Sequence, residues 1–133
     1  MANLNRYDSM EDLIKNSVEE LDLKKLSKLI LNYLDSKKAE DMVLYTFPQY
    51  KINYEIIVTC IATSSRHASS LAENLMQHLK ENGINSGASG LNDPDWVVVF
   101  GQDLFAVHIL TENGENYFRL NDLFESRKIN EIK

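Results

Sequence analysis

The segment YEIIVTCIA, residues 54 to 62, is apolar nearly throughout and rich in β-branched side chains. A strand of this kind is usually an inner strand of a sheet, with both faces covered by other elements. The segment MVLYTF, residues 42 to 47, is also rich in β-branched and aromatic residues, and PQYKIN separates the two. Together they predict two strands, the second of them inside a sheet that is covered on both sides.

Three segments carry the apolar spacing of helices that are buried on one side. Residues 9 to 21 predict a short helix, and residues 22 to 38 predict a second one. The third starts at Ser64 and ends before Gly83, a glycine suited to a left-handed helix cap. Its buried stripe is predicted to consist of Ala68, Leu71, Ala72, Leu75 and Leu79.

The second half of the chain predicts a β-hairpin, because WVVVF and LFAVHIL flank the turn residues GQD. Residues 83 to 95 hold three glycines and a proline, and predict a turn-rich connection or a short irregular strand. After the hairpin, NGEN predicts a turn, YFRL a short strand, and NDLFESR a closing helical turn with a polar tail. The element order ααββαβββα predicts an α/β fold, a single mixed β-sheet of about five strands with helices packed on it.

The net charge is -6, because 20 acidic side chains outnumber 14 basic ones. Each contact with a nucleic-acid phosphate needs a cation, so the charge argues against extensive nucleic-acid contact, and a basic protein partner fits better. No apolar run approaches the roughly 18 residues of a membrane span. The acidic N-terminus resembles neither a secretory nor a transit signal, so the expected location is the cytoplasm, without a membrane partner.

The metal-ligating residue types are spread along the chain rather than clustered. His67 and His78 lie on one predicted helix but roughly 16 Å apart along its axis, too far for one ion to bridge. His108 lies inside an apolar strand and is predicted to be a core or cross-strand histidine. Asp103 is five residues earlier, which points the two side chains to opposite faces of a regular strand. Cys60 is predicted to be a small core residue, and neither a metal nor a cofactor is expected.

The segment TSSRH joins the apolar strand to the third helix. Thr63 or Ser64 is predicted to cap the helix by accepting hydrogen bonds from its first backbone N–H groups. Ser64, Ser65 and His67 are close in sequence, but the glycine-flanked turn that exposes a serine nucleophile is missing around them. Backbone amides at a helix start, together with Arg66, can also hold an anion, which is the alternative to capping alone.

Two aspartates and a tryptophan precede the hairpin. Closely spaced aspartates such as Asp93 and Asp95 can hold a divalent ion in phosphoryl-transfer sites. No glycine-serine phosphate cradle precedes them, so a turn leading into a strand is the favoured interpretation. Trp96 follows directly, and its ring buries on the order of 200 Å² either in the core or in a partner. Interfaces favour tryptophan as an anchor, so both interpretations stay open.

Four segments resemble one known family in their order and nearly in their spacing. They are LDSKKAEDMVLY, ATSSRHASSLAENL, DWVVVFGQDLFAVHI and YFRLNDLF. This set is similar to the ribosomal silencing factor (Iojap-like) family, and the similarity covers about residues 26 to 126.

The resemblance implies a role without catalysis. Members of this family bind protein fourteen of the large ribosomal subunit on its intersubunit face. They sterically prevent the small subunit from joining, which represses translation when nutrients are short. The resemblance also implies a fold like that of a nucleotidyltransferase without the catalytic motif.

By position, the resemblance places Trp96, Asp95 and Val98 in the hairpin that docks on the ribosome, and Asp103 and His108 at matching positions. The segment from Thr63 to His67 matches a family hallmark with no catalytic duty, which favours a structural junction. Under this interpretation residues 1 to 21 are a helical extension, 22 to 126 the silencing factor domain, and 127 to 133 a polar tail.

The sequence departs from the family pattern at several positions. Ala62 replaces the usual glycine before TS, Ser89 replaces an acidic residue, and Phe124 replaces the final tryptophan. Asp103 and His108 are also one residue further apart than usual. In a strand, an extra residue flips a side chain to the other face or forces a bulge.

Two other functions remain as alternatives. One is a diverged nucleotidyltransferase-type enzyme that uses Asp93 and Asp95 with magnesium. The other is a homodimeric adaptor whose N-terminal helix recruits a further protein.

Overall fold

The computed structural model describes residues 23–46, 56–101 and 104–132, with the side chains of the last helix described to residue 126. The chain divides into two compact units, residues 1–32 and 33–133. Helix α1 spans residues 23–36, as predicted, and the helix predicted over residues 9 to 21 lies outside the described residues. The remaining elements are β1 (Glu40–Thr46), β2 (Ile56–Ala62), α2 (Ser65–Glu81), β3 (Gly87–Ser89), β4 (Trp96–Gly101), β5 (Phe105–Thr111), α3 (Glu112–Phe118) and α4 (Leu120–Ile132).

The five strands form one mixed sheet in the order β1-β2-β5-β4-β3. Strands β2 and β5 are parallel, whereas the other neighbouring pairs are antiparallel. Every residue of β2 except Ile61 is buried, because other elements cover both faces of that strand. The predicted α/β fold, with an inner strand at residues 56 to 62, is confirmed.

Helix α2 covers one face of the sheet, where it packs against β2, β4 and β5. All five residues of its predicted stripe are buried. The helix ends as predicted at Gly83, which has a φ of +80°. The Ile84 N–H donates to Leu79 O over 2.9 Å and the Gly83 N–H to Lys80 O over 3.0 Å, the bonding pattern of a Schellman cap.

Helices α3 and α4 supply side chains to the other face. Here the buried cluster consists of Tyr45, Ile57, Leu110, Leu120 and Phe124. Asn121 fixes α4 to the strands, because its Oδ1 accepts hydrogen bonds from Tyr45 Oη over 2.8 Å and from Thr59 Oγ1 over 2.7 Å.

The prediction of a strand at YFRL is wrong. Residues 112–118 form α3, and Arg119, in the left-handed conformation with a φ of 53°, separates it from α4. Thr111 begins α3 by accepting a hydrogen bond from the Gly114 N–H over 3.1 Å, so a helix cap outweighs the strand preference of Tyr and Phe. Helix α4 runs to Ile132 and is longer than the single closing turn that the sequence predicts.

The extra residue before His108 forces no bulge in the described part of the hairpin. Pairing between β4 and β5 runs without a break from Gly101↔Phe105 to Trp96↔Leu110. The Leu104 N–H donates to Gly101 O over 3.0 Å and closes the turn. Between Phe105 and His108, therefore, β5 pairs with β4 as a regular strand.

Cys60 is fully buried, as predicted, and burial raises the pKa of its thiol to about 12. The thiol is therefore protonated at neutral pH and is not a nucleophile. No helix in the described part of the chain combines the length and apolar character needed to cross a lipid bilayer.

Candidate functional site

The candidate site lies on the sheet face that carries α3 and α4. Strand β4 alternates, so Val97 and Val99 are buried on the α2 side while Trp96, Val98 and Phe100 are only half-buried on the opposite side. The site is therefore the β4 end of a sheet face that the helices leave partly open.

Trp96 connects this face to the core. Its ring packs against the buried cluster of Tyr45, Ile57, Leu110, Leu120 and Phe124. Its Nε1–H donates to His108 Nδ1 over 3.0 Å. The indole remains half-buried: it packs against the core and also reaches the surface, so its role as an anchor for a partner stays a prediction.

His108 lies on β5, directly opposite Val98 on β4. Its ring centroid is 5.8 Å from that of Trp96 and 5.6 Å from that of Phe124. Burial lowers the pKa of His108 to about 4, so the imidazole is neutral at physiological pH. The prediction of a cross-strand histidine is confirmed, and its partner is the tryptophan.

Asp95 supports the site through its contacts with Thr111 and with the start of α3. Its carboxylate accepts a hydrogen bond from Thr111 Oγ1 over 2.7 Å, and its carbonyl oxygen accepts one from the Thr111 N–H over 3.1 Å. A Cβ on Gly114 would overlap that same carbonyl, so α3 passes directly against the start of β4. Asp95 thus holds the N-terminus of α3 in place.

Asp93 folds the turn before Trp96. Its Oδ1 accepts hydrogen bonds from the backbone N–H groups of Asp95, over 2.8 Å, and of Trp96, over 3.1 Å. Both aspartates are therefore engaged within the chain, as expected of turn residues. In the part of the chain that the structure describes, no three His, Cys, Asp or Glu side chains converge as metal ligands would.

Two exposed aromatic side chains of α3 extend the site, and neither is among the site residues predicted from the sequence. Phe118 is 40% exposed, with its ring centroid 4.6 Å from that of Trp96. Tyr117 is 80% exposed and meets Phe118 edge-on at 4.9 Å. Trp96, Tyr117 and Phe118 are called the aromatic patch below. A signal for α3 was present, since Thr111 is followed by acidic residues that suit a helix start.

The other predicted site residues are distributed differently. Val98 is half-buried beside His108, whereas Asp103 lies outside the described residues. The helix-start residues Ser65 and Arg66 are exposed just beyond the end of β2, where Ile61 pairs with Leu110 of β5 and Leu110 pairs with Trp96 of β4.

The TSSRH segment is a closed hydrogen-bonded junction. Ser64 caps α2 by accepting a hydrogen bond from the His67 N–H over 3.0 Å. The Thr63 N–H donates to His67 Nδ1 over 2.9 Å, and His67 Nε2 lies 2.9 Å from Lys37 O. The capping interpretation is confirmed.

An open depression of about 380 Å³ lies beside this junction. Its lining consists of Lys38, Thr63, Ser64, Arg66, His67 and Ser70. The side chains of Ser64 and His67 in this lining already make hydrogen bonds within the chain. Its cationic side chains are those of Lys38 and Arg66.

Comparison with known proteins identifies the family. A family model described as "Ribosomal silencing factor during starvation" matches residues 20–133. The ribosomal silencing factor RsfS of Haemophilus influenzae is 31% identical over 101 residues, which cover 74% of this chain and 97% of that protein. The protein of the same name from Chromobacterium violaceum is 23% identical over 109 residues, covering 81% and 88% of the two chains.

Solved structures agree on the fold. A crystal structure of a Chromobacterium violaceum protein superposes with a TM-score of 0.71 at 23% identity, covering 77% of this chain and 86% of the other. A Bacillus halodurans protein superposes with a TM-score of 0.64 at 26% identity, covering 75% and 93%. The family match spans most of the sequence and includes both elements that form the aromatic patch, strand β4 and helix α3. This chain belongs to the ribosomal silencing factor family.

Proposed function

We propose that this protein binds the large ribosomal subunit through ribosomal protein fourteen and sterically blocks joining of the small subunit. The observation that carries the proposal is the aromatic patch, because Phe118 and Tyr117 expose large aromatic rings next to a half-buried tryptophan. Rings of this type, clustered around a partly desolvated centre, are the usual anchors of protein interfaces. Repression of translation follows from occupying the surface, without a chemical step.

Charge supports a basic partner. The pKa of Tyr45 is raised, first by burial and then by the nearby carboxylates of Glu125, Glu115 and Asp122. These three carboxylates lie on α3 and α4, so negative charge is concentrated there. Arg119 offsets part of this charge through an exposed ion pair with Asp122 at 2.7 Å. Carboxylates on the two helices beside an apolar contact surface favour encounter with a positively charged ribosomal protein.

The hydrogen bonds of Asp95 support a different role for that residue, whereas the other proposed docking residues keep theirs. Trp96 and His108 form the centre of the contact, with Val98 beside them and Phe118 and Tyr117 on its helical side. Asp95 acts through Thr111 by holding α3, so it shapes the surface rather than reaching the partner. Asp103 also stays a proposed contact with the partner, because its position in the sequence matches a position of the family pattern.

Separate incubation with large and small ribosomal subunits tests the proposal. We expect the protein to sediment with the large subunit alone. Prior binding should also lower the fraction of large subunits that join added small subunits. Sedimentation with neither subunit, or undiminished joining at saturating protein, would refute the proposal.

We further propose that residues 1–21 are an extension which is dispensable for this binding, since every residue of the aromatic patch lies in the unit of residues 33–133. A chain lacking residues 1–21 should sediment with large subunits as the full chain does. Loss of sedimentation with retained folding would instead favour a recruiting role for the N-terminal segment.

A further inference from the structure

The hydrogen bond between Trp96 and His108 fixes the position of the imidazole proton. An indole Nε1–H can only donate, so His108 Nδ1, at 3.0 Å, must accept. A neutral imidazole carries one proton, which therefore resides on Nε2. Protonation of Nδ1 would set two N–H groups against each other, and burial already disfavours the charged ring.

The other ring nitrogen is accessible. Among the described residues, the bond to Trp96 is the only hydrogen bond of the His108 side chain. In the described part of the chain, the fully buried side-chain atoms that lack a hydrogen-bond partner are Ser86 Oγ and Glu115 Oε1. His108 Nε2 has no partner there either, but it is not fully buried. The His108 side chain is half-buried, so Nε2–H is a donor that is not fully enclosed by the described part of the chain.

The surroundings of this donor are apolar. Trp96 and Phe124 lie against the His108 ring, and Val98 is its cross-strand neighbour. A single directed N–H within an apolar contact surface contributes to specificity, because a partner that fails to bond it leaves a desolvated donor.

We propose that His108 presents Nε2–H as a fixed hydrogen-bond donor at the centre of the docking surface, and that Trp96 acts as a positioning residue which selects this tautomer. The inference rests on the proposed function and specifies the partner chemistry. The ribosomal protein supplies an acceptor at this point, a backbone carbonyl or a side-chain oxygen, and not a lysine or arginine donor.

Nitrogen-15 NMR of the imidazole in the free protein tests the geometry without the ribosome. We expect His108 of the unaltered chain to show one tautomer, protonated at Nε2. Trp96→Phe keeps an aromatic ring but removes the indole N–H, so the signals should move toward a tautomer mixture. A proton on Nδ1 in the unaltered chain would overturn the inference.

Two substitutions at one position test the donor itself. The amide oxygen of His108→Asn replaces Nδ1 and can still accept from Trp96, but no donor reaches the Nε2 position. His108→Gln places an amide N–H near the Nε2 position. We expect His108→Asn to bind large subunits about tenfold more weakly and His108→Gln to recover most of that loss.

The outcomes distinguish failure of the proposed function from failure of the donor role of His108. If the unaltered chain does not bind large subunits, the proposed function fails and the docking role of His108 fails with it. If the unaltered chain binds and His108→Asn binds equally well, only the donor inference is overturned. Far-ultraviolet circular dichroism of each variant establishes that the compared proteins are folded.

Discussion

The indole ring of Trp96 lies 4.6 Å, centroid to centroid, from the phenyl ring of Phe118, and the two rings are tilted by 50°. Trp96 begins β4 and Phe118 ends α3, so the contact joins the sheet to the first helix that follows it. The aromatic patch is therefore assembled from two elements that are distant in sequence. Its shape depends on how α3 is held against the strands.

Phe118→Ala should weaken binding to large ribosomal subunits by roughly thirtyfold, because truncating a well-packed aromatic anchor costs about 2 kcal/mol of binding free energy. Leu44→Ala is the matched control. Leu44 is 38% exposed against 40% for Phe118, and it lies on the opposite face of the sheet from its neighbour Tyr45. Quantitative co-sedimentation measures the affinity of both variants for large subunits. Equal losses of affinity would show that the aromatic patch is not the contact surface.

Asn121→Ala should destabilise the fold by about 2 to 3 kcal/mol, because the Thr59 hydroxyl, which is 1% exposed, would lose its acceptor. The same change also removes an acceptor of Tyr45 and loosens α4. Asn74→Ala serves as a control, since Asn74 is exposed on α2 and bonds only Ser70, over 3.3 Å, among described residues. Urea unfolding compares the two, and a loss at Asn121 as small as that at Asn74 would contradict the bridging role.

The strands and α2 follow from the sequence because local preference and tertiary packing agree there. Phe118 was missed for the opposite reason: YFRL has strong strand preference, but the cap at Thr111 and the close passage of Gly114 against Asp95 impose a helix. The bond between Trp96 and His108 depends on hairpin register. Trp96 pairs with Leu110 and reaches His108 diagonally, a relationship that the sequence specifies only once the length of the turn is known.

Stability should fall as the pH is lowered through the range between the two pKa values of His108. Burial lowers the folded-state pKa to about 4 from the usual 6.5, so between these values the unfolded chain binds a proton that the folded chain does not. The free energy of unfolding therefore decreases below about pH 6.5 and is insensitive to His108 above pH 7. Between pH 7.5 and 5.5 the loss attributable to this residue is on the order of 1 kcal/mol.

His108→Gln isolates the contribution of His108, because all other side chains are the same in the two proteins. Urea unfolding of both chains at pH 7.5 and 5.5 gives the difference between their pH dependences. The unaltered chain should lose more stability than the variant on going to pH 5.5. Identical losses of unfolding free energy in the two chains would mean that the pKa of His108 is not lowered in the folded protein. The ring would then not be buried as the structure shows.

Gly114→Ala should disturb the aromatic patch from a distance. A Cβ at this position would overlap the carbonyl oxygen of Asp95, so α3 must move away from β4, at a cost of about 1 to 3 kcal/mol in stability. Because Phe118 ends the same short helix, its contact with Trp96 shifts as well, and binding to large subunits should weaken even among folded molecules.

Gly83→Ala separates displacement of the helix from loss of stability. Gly83 has a φ of +80° and a Cβ there would meet nothing within 4 Å, so alanine costs about 1 to 2 kcal/mol in backbone strain without moving α3. At concentrations corrected for the folded fraction, Gly83→Ala should bind as the unaltered chain does and Gly114→Ala should not. Equal binding by the two variants would mean that the position of α3 has no part in docking, since the stability losses are similar and only the helix displacement differs.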